Sequence, residues 1–586
     1  MKVLLVSINA KFIHTNFAVY LLSANAGEFR KDVKIREFTI NQSLDGMLQG
    51  IVEEKPDFIG FSCYIWNIDI VKKLVRECKK LLPSAFVWLG GPEAEADAVQ
   101  LMQEYPQIDG VMYGEGEMVL PEILRCYDFS DSIMSLHEQC ESTKTDLSER
   151  LSDVSGIFFR MNGGVIKSIP AKPVDLNELV FPYNEEILRQ LSGKIIYYES
   201  SRGCPFHCSY CLSSEDNHVR FRSVDKVKKD LNLFLETKTP QVKFVDRTFN
   251  CNHKRMTELL QFMLEQDNGV TNFHFEIGGD LLTEEELDIL QQFRPGAIQL
   301  EIGVQTTNAE VMERIGRVNK KDTLFANVRK LLTFGKQHIH LDLIAGLPGE
   351  NLQSFIRSFD EVYNLHPHQL QLGFLKVLAN TRIHREAGVY GITYREYPPY
   401  EVLETDSISY QELLELKQVE EMVEIYYNSG QFAEELRFAE HYFADSSYRM
   451  YRELARLYFS RYMSGMQSSR MARYELLVEF IKSFTEETMH DVVVQLAVYD
   501  CYARERKKAR PAFSLKNAGE YMVKSMMRES DRAIVYHSEN HAELFSIDVK
   551  KTAETGTAVF KENIAVFHYE LRSPITGNAD VICYDL

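Results

Sequence analysis

Short apolar runs alternate with amphipathic stretches over the first 125 residues. Val3–Ile8, Ile35–Ile40, Phe58–Ser62, Phe86–Leu89 and Gly110–Tyr113 have the length and content of buried strands. Between them, Asp69–Leu82 places Ile70, Leu74, Val75 and Cys78 at helical spacing. This alternation predicts an α/β fold with a doubly wound, Rossmann-like parallel sheet. Ligands of such sheets lie beyond the carboxyl ends of the strands. The loops expected there, at 9–16, 63–67, 90–95 and 114–117, are rich in Gly, Asn and aromatic residues, which suits a flat ligand across the sheet edge.

Residues 127–150 are polar and charged and read as a linker. Asn162-Gly163 between two apolar runs predicts a hairpin, and the Pro-bearing stretch 170–183 a connector. From Ile195 the alternation resumes. Strands are expected at Ile195–Glu199, Val242–Val245, Phe273–Ile277, Ile298–Val304, Ile339–Ala345 and Leu370–Val377. Six such units make a partial (β/α)6 barrel rather than the full eight. Pro398-Pro399-Tyr400 marks a junction, since paired prolines do not sit inside a helix. Residues 405–530 read as mainly helical, with apolar residues at helical spacing in Leu413–Ile425 and Leu476–Ile481. The tail from Ile534 carries short strand-like runs at Ala558–Phe560 and Ile564–Tyr569. The expected organisation is a ligand-binding sheet domain at 1–126, a linker with a hairpin at 127–194, the partial barrel at 195–400, and a helical domain with a short β tail at 401–586.

The chain's 586 residues are too many for one core. Its net charge of -19 argues against general nucleic-acid binding, which needs clustered Lys and Arg. The basic run Arg504–Arg510 is read as a solvated helix face. No apolar stretch reaches the length of a membrane span, and the apolar N-terminus reads as a strand rather than a signal peptide. Ten cysteines are scattered except for three at 204, 208 and 211. That usage predicts a reducing cytoplasm and a metal site rather than a disulfide framework.

The three cysteines lie in Ser201-Arg-Gly-Cys-Pro-Phe-His-Cys-Ser-Tyr-Cys211. Three thiolates on one tight loop can hold three corners of a cubane cluster and leave the fourth iron open. Gly203 and Pro205 help the loop turn. Zinc, with His207 or His218 as fourth ligand, is the main rival, and three ordinary buried cysteines the bland reading.

This CxxxCxxC loop, with aromatic Tyr210 before its last cysteine, resembles the radical S-adenosylmethionine (SAM) superfamily, over about residues 195–380. The resemblance implies a 4Fe-4S cluster on Cys204, Cys208 and Cys211, and cleavage of SAM to a 5′-deoxyadenosyl radical. Further segments match in order. Phe244-Val-Asp-Arg-Thr-Phe-Asn250 places Asp246 toward SAM, and Phe275-Glu-Ile-Gly-Gly-Asp280 offers Glu276 to a hydroxyl of SAM. Glu301-Ile-Gly-Val-Gln-Thr306 brings Gln305, and the following helix brings Arg314 and Arg317 for a carboxylate. Gly346, Leu347 and Pro348 resemble the adenine-packing turn, and Val377 a sixth-strand contact with the same ring. Asp280 is left without a role.

The N-terminal stretch resembles the cobalamin-binding domain of one class of that superfamily. The matching segments carry Asn9, Thr15 and Asn16, then Ser62, Cys63, Tyr64 and Trp66, then Gly90 and Gly91, then Gly114, Glu115 and Glu117 of a Gly-Glu-Gly-Glu run. No Asp-x-His-x-x-Gly stretch is present, so a cobalamin here is expected to lack a histidine lower ligand. The bland reading of this domain is a cap that holds no cofactor. The C-terminal region resembles an uncharacterised extension of some members.

The resemblance implies an enzyme that transfers a methyl group to an unactivated carbon or phosphorus centre. It implies SAM and cobalamin as cofactors, a small-molecule or peptide substrate, and an electron donor such as flavodoxin or ferredoxin. Neither nucleic acid nor a membrane is expected as a partner. The alternatives are a cobalamin-dependent rearrangement or cyclisation without methyl transfer, and a non-enzymatic cobalamin sensor or carrier. Methylthiolation of transfer RNA fits poorly, because the N-terminal half lacks a three-cysteine cluster arrangement and the chain is acidic.

Overall fold

The first sheet is built around inner strands that are buried along their whole length. It comprises β1 (Val3–Asn9), β2 (Val33–Thr39), β3 (Phe58–Ser62), β4 (Phe86–Gly90) and β5 (Gly110–Met112), which are parallel, followed by β6 (Ile157–Met161) and β7 (Gly164–Lys167). The order is β2-β1-β3-β4-β5-β6-β7. Every residue of β1, β3 and β5 is buried, as a sheet covered on both faces requires. Edge strand β2 alternates in burial instead. One core forms on each face, around Val71, Leu74 and Val75 on one side and Leu120, Ile123 and Leu124 on the other. The order of strand addition reverses between β1 and β3, so a ligand crevice is expected at the carboxyl ends there.

The hairpin forms at Asn162 and Gly163, both with positive φ (52° and 78°), as a tight two-residue turn requires. It joins the sheet: β6 pairs antiparallel with β5, Gly110 facing Phe159. Sequence pattern gives the hairpin; its docking on an open strand edge is a long-range event that local pattern does not encode.

The computed structural model describes residues 1–128, 141–214, 218–463, 468–506, 510–514 and 540–586. Much of the expected linker, part of the basic run, and the end of the expected helical region lie outside the described residues. The chain divides into two compact units. The first is Met1–Glu276 with Lys376–Glu386 and Tyr394–Glu401; the second is Ile277–Leu375 with Ala387–Thr393 and Val402–Leu586.

In the first unit, β8 (Ile196–Tyr198) is followed by a two-stranded ribbon, β9 (Ser201–Arg202) with β10 (Arg220–Phe221), then β11 (Gln241–Phe244) and β12 (Asn272–Ile277). Strands β8, β11 and β12 are parallel, with helices Val224–Glu236 and His253–Glu265 in between. In the second unit, β13 (Ile298–Gln305), β14 (His338–Ala345) and β15 (Gln369–Phe374) are parallel, with Lys321–Phe334 and Leu352–Tyr363 as connecting helices. All six expected strands are present; the last ends at Phe374, three residues short of its expected end.

The second unit then becomes helical, with Tyr410–Met422, Ser447–Arg461, Arg470–Lys482 and His490–Arg504. Its end carries more β structure than the sequence suggested. His541–Ile547, Phe560–Arg572 and Ala579–Asp585 make an antiparallel three-stranded sheet. The chain is thus mixed α/β, with an N-terminal parallel sheet, central parallel strands with helices, and a helical C-terminal region. Among the described residues no helix is long and apolar enough to cross a membrane.

Candidate functional site

The cysteine loop leaves the β9 ribbon through Gly203, whose φ of 98° favours glycine. Cys204 and Cys208 are buried and Cys211 is half-buried. The Cys211 N–H donates to the Cys208 carbonyl at 3.1 Å, closing a turn between the last two cysteines. Ile383 N–H donates to the Ser209 carbonyl at 2.9 Å and ties the loop down. The base of the loop hangs on one buried carboxylate. Asp246 accepts the Ser200 N–H at 2.7 Å and the Ser200 and Ser201 hydroxyls at 2.6 Å each.

The three thiols suit a cluster better than zinc. A tetrahedral zinc with Zn–S of about 2.3 Å brings its sulfurs within about 3.8 Å of one another. Among the described residues, the His, Cys, Asp and Glu groups whose ligand atoms all lie within 4.8 Å are Glu301, His340 and Asp342; the three cysteines are not gathered so closely. His207 and His218, the fourth ligands that zinc would need, are exposed, whereas Cys204 and Cys208 are buried.

Above the loop an ion-pair ladder crosses to the N-terminal sheet. Arg202 Nη2 lies 2.6 Å from Glu117 and 2.7 Å from Glu199, and Nη1 lies 3.3 Å from Glu115. Arg220 also pairs with Glu115, whose carboxylate accepts the Val174 N–H at 2.7 Å. Burial opposes the charge on Glu115, but Arg220, the Val174 N–H and Arg202 prevail and hold its pKa below the ordinary value. Burial raises the pKa of Glu199 despite its bonds to Arg202.

A cavity of about 470 Å³ opens between these elements, all within the first unit. Ser62, Tyr64, Gly90, Gly91 and turn 114–117 line one side, at the carboxyl ends of β3, β4 and β5; Glu199, Ser201, Arg202, Gly203 and Arg247 line the other. Gly91 sits at φ 105°, and a Cβ there would fall 2.6 Å from the Cys63 carbonyl oxygen. Gly114 faces open space. Glu117 Oε2 is buried without a hydrogen-bond partner among the described residues. A buried acceptor beside an open cradle fits a ligand rich in amide donors, such as cobalamin.

Of the residues expected at cobalamin, the cavity brings together Ser62, Tyr64, Gly90, Gly91, Gly114, Glu115 and Glu117. It is not lined by Asn9, Thr15, Asn16, Cys63 or Trp66, which have bonds elsewhere. Asn9 donates to the His14 carbonyl and to Glu37, Thr15 to the Ile195 carbonyl, and Asn16 to the Ser62 hydroxyl. Cys63 is fully buried, and burial pushes its thiol up to about 12. Trp66 donates to the Ile8 carbonyl at 2.9 Å and stacks on Tyr64 at 4.5 Å with the rings nearly parallel.

The residues expected at SAM fall in both units. In the first, Tyr210 and Glu276 are half-buried and Val377 is buried, its N–H donating to the Tyr400 carbonyl at 2.9 Å. In the second, Gln305 ends β13 at a bulge, with φ 69°. Its side chain folds back over Gly303, where a Cβ would lie 2.2 Å from Nε2 and would push the amide aside. Gly346, Leu347 and Pro348 are buried, and Arg314 is exposed, 4.0 Å from Glu310. Sequence reasoning missed Glu199, Arg202, Arg220 and Arg247. Arg202 stands inside the quoted cysteine motif, and the acidic Gly-Glu-Gly-Glu run was the signal for its partners.

Comparison with known proteins agrees with this layout. Residues 3–124 match the B12 binding domain, 198–362 the Radical SAM superfamily, and 388–572 a protein of unknown function, DUF4080. The anaerobic magnesium-protoporphyrin IX monomethyl ester cyclase of Rubrivivax gelatinosus is 23% identical over 58% of this chain and 60% of its own length. The cobalamin-dependent radical SAM methyltransferase TokK of Streptomyces tokunonensis is 21% identical over 57% of this chain and 48% of its own. The chain thus spans about half to three fifths of the length of these curated relatives. Among solved structures, the cobalamin-dependent SAM radical enzyme OxsB with aqua-cobalamin bound superimposes with a TM-score of 0.60 at 14% identity, covering 90% of this chain and 83% of that one.

The fold and the cysteine loop agree with the matched regions, a radical SAM domain preceded by a cobalamin-type domain. The chain thus carries a B12-binding domain at 3–124, a Radical SAM domain at 198–362 and a DUF4080 region at 388–572.

Proposed function

We propose that the chain is a cobalamin-dependent radical SAM methyltransferase that acts on an unactivated carbon or phosphorus centre. Cys204, Cys208 and Cys211 hold a 4Fe-4S cluster, SAM is the co-substrate, and cobalamin occupies the cavity of the first unit. When bound, the cluster supplies the electron that cleaves SAM, and cobalamin supplies a methyl group. The observation that carries this reading is the cavity itself, which the carboxyl-end loops of the N-terminal sheet share with Ser201, Arg202 and Gly203 of the cluster loop.

The chain's own residues bind and orient. Gly90, Gly91 and Gly114 let a flat ligand approach the backbone, and Glu115 and Glu117 line the cavity beside them. Tyr64 lines the cavity, and Trp66 stacks on it from outside and fixes the plane of its ring. Asp246, expected toward SAM, holds the base of the cysteine loop through Ser200 and Ser201 and so orients the loop that meets the cofactor. Tyr210, Glu276 and Val377 of the first unit are proposed SAM contacts. The same role is proposed for Gln305, Arg314, Gly346, Leu347 and Pro348 of the second. A flavodoxin- or ferredoxin-type donor supplies electrons, and the substrate is a small molecule or peptide.

The Rubrivivax relative favours a second reading, radical cyclisation without methyl transfer. The two readings separate in one experiment. Anaerobically reconstituted protein is incubated with hydroxocobalamin, a low-potential reductant, metabolite extract and SAM bearing a trideuterated methyl. Methyltransferase action yields 5′-deoxyadenosine and a deuterated methyl in a product. 5′-Deoxyadenosine without transferred label supports cyclisation or rearrangement. Neither product above a no-enzyme control contradicts both.

A further inference from the structure

One arginine stands between the two cofactor regions proposed above. Arg202 precedes the first cluster cysteine by two residues, and its guanidinium is held by three carboxylates, two of them from turn 114–117 of the N-terminal sheet. Its side chain is one-fifth exposed and that of Glu117 under one-tenth, so these contacts are poorly screened. The Arg202 Nε and Nη2 atoms meet the two oxygens of Glu199 at 2.9 and 2.7 Å, a bidentate fork that fixes the guanidinium plane. Glu117 uses Oε1 for Arg202 and keeps Oε2 buried and without a partner, although the residue lines the cavity.

We infer that Arg202 is a positioning residue that couples the cobalamin-side turn 114–117 to the cluster loop. It sets the register of Gly203 and Cys204 against Glu115 and Glu117, and it places a fixed charge beside the cluster. The inference rests on the cluster and cobalamin reading and adds the link between them. Lysine is a poor replacement, because a point charge cannot span three carboxylates in one plane. Net charge and hydrogen bonding around a cluster set its potential, so the partners of Arg202 should tune it with opposite signs.

Two measurements test this. In reconstituted holoprotein, redox titration followed by electron paramagnetic resonance gives the cluster potential. Glu117→Gln removes a negative charge and should shift it positive; Arg202→Met removes a positive charge and should shift it negative. Arg202→Lys keeps the charge and should stay near wild type. A merely structural role would move all three in one direction or none. In the unloaded protein, hydrogen exchange is read on the peptide covering residues 201–211. Glu115→Gln and Glu117→Gln, on the other domain, should speed that exchange by about fivefold or more, as should Arg202→Lys, which loses the fork. Unchanged exchange together with potentials that do not separate by sign overturns the inference. Failure of the wild type to load a cluster contradicts the functional reading instead, and the exchange measurement still decides the coupling.

Discussion

Asp246 accepts two hydrogen bonds from Ser200, one from its backbone N–H at 2.7 Å and one from its hydroxyl at 2.6 Å. Together with the Ser201 hydroxyl, this makes a buried aspartate the anchor of the strand that leads into the cysteine loop. Asp246→Ala leaves three buried donors without an acceptor. At about 1 kcal/mol or more for each such loss, the variant should be destabilised by roughly 3 kcal/mol. Thermal or denaturant unfolding of the unloaded protein checks this, with Ser201→Ala losing only about 1 kcal/mol. A variant as stable as wild type would show that the loop is held some other way.

Gly91 is predicted to tolerate no side chain. Its φ of 105° disfavours any L-residue, and a Cβ would strike backbone atoms of Cys63, which cannot move aside as a flexible side chain would. Gly91→Ala should cost about 3 kcal/mol from strain and contact combined. Because Gly91 lines the cavity, the variant should also retain less cobalamin after desalting. Normal stability with full retention would contradict this picture of the cavity wall.

In the second unit Glu350 is buried. Burial drives its pKa up to about 7, although Thr306 at 2.6 Å and Ser354 at 3.2 Å donate to Oε1 and favour the charged form. Its folded pKa lies above the unfolded value, so the protonated acid suits the fold. That advantage is complete below about pH 4.5 and is lost as pH rises through 7. Stability should therefore fall between pH 5 and 8 by roughly 3 kcal/mol from this group. Glu350→Gln should flatten that part of the profile. A parallel profile in the variant would assign the slope to other groups.

No histidine lines the cavity among the described residues. Bound cobalamin should accordingly give a Co(II) electron paramagnetic resonance signal without nitrogen splitting from a protein lower ligand. Nitrogen splitting that changes when the protein is labelled with nitrogen-15 would show an imidazole lower ligand and contradict this; splitting that does not change would come from the cofactor's own base.

Most of the strands were legible in the sequence because they are buried on both faces, and apolar runs such as Val3–Ile8 and Phe58–Ser62 cannot be mistaken for solvated segments. The Asn162-Gly163 turn was legible because its positive φ values demand those residues. What escaped was long-range. The hairpin's pairing with β5, the β-sheet at the end of the chain, and the Arg202–Glu117 contact join residues far apart in sequence, where no local period reports on partners. The same limit explains why Asn9, Thr15 and Asn16, correctly placed at a strand end, spend their side chains on bonds outside the cavity rather than lining it.

The central claim is that Cys204, Cys208 and Cys211 hold a SAM-cleaving cluster, and its most direct measurement is iron and acid-labile sulfide per chain, followed by the reduced spectrum with and without SAM. Anaerobic reconstitution should give about four irons and about four sulfides, the content of one cubane held at three corners. Adding SAM should change the reduced electron paramagnetic resonance signal, because the open iron gains ligands. Replacing the three cysteines by alanine should abolish both the metal and the signal. One zinc per chain with no sulfide, or an unchanged metal content in the triple variant, would contradict the account.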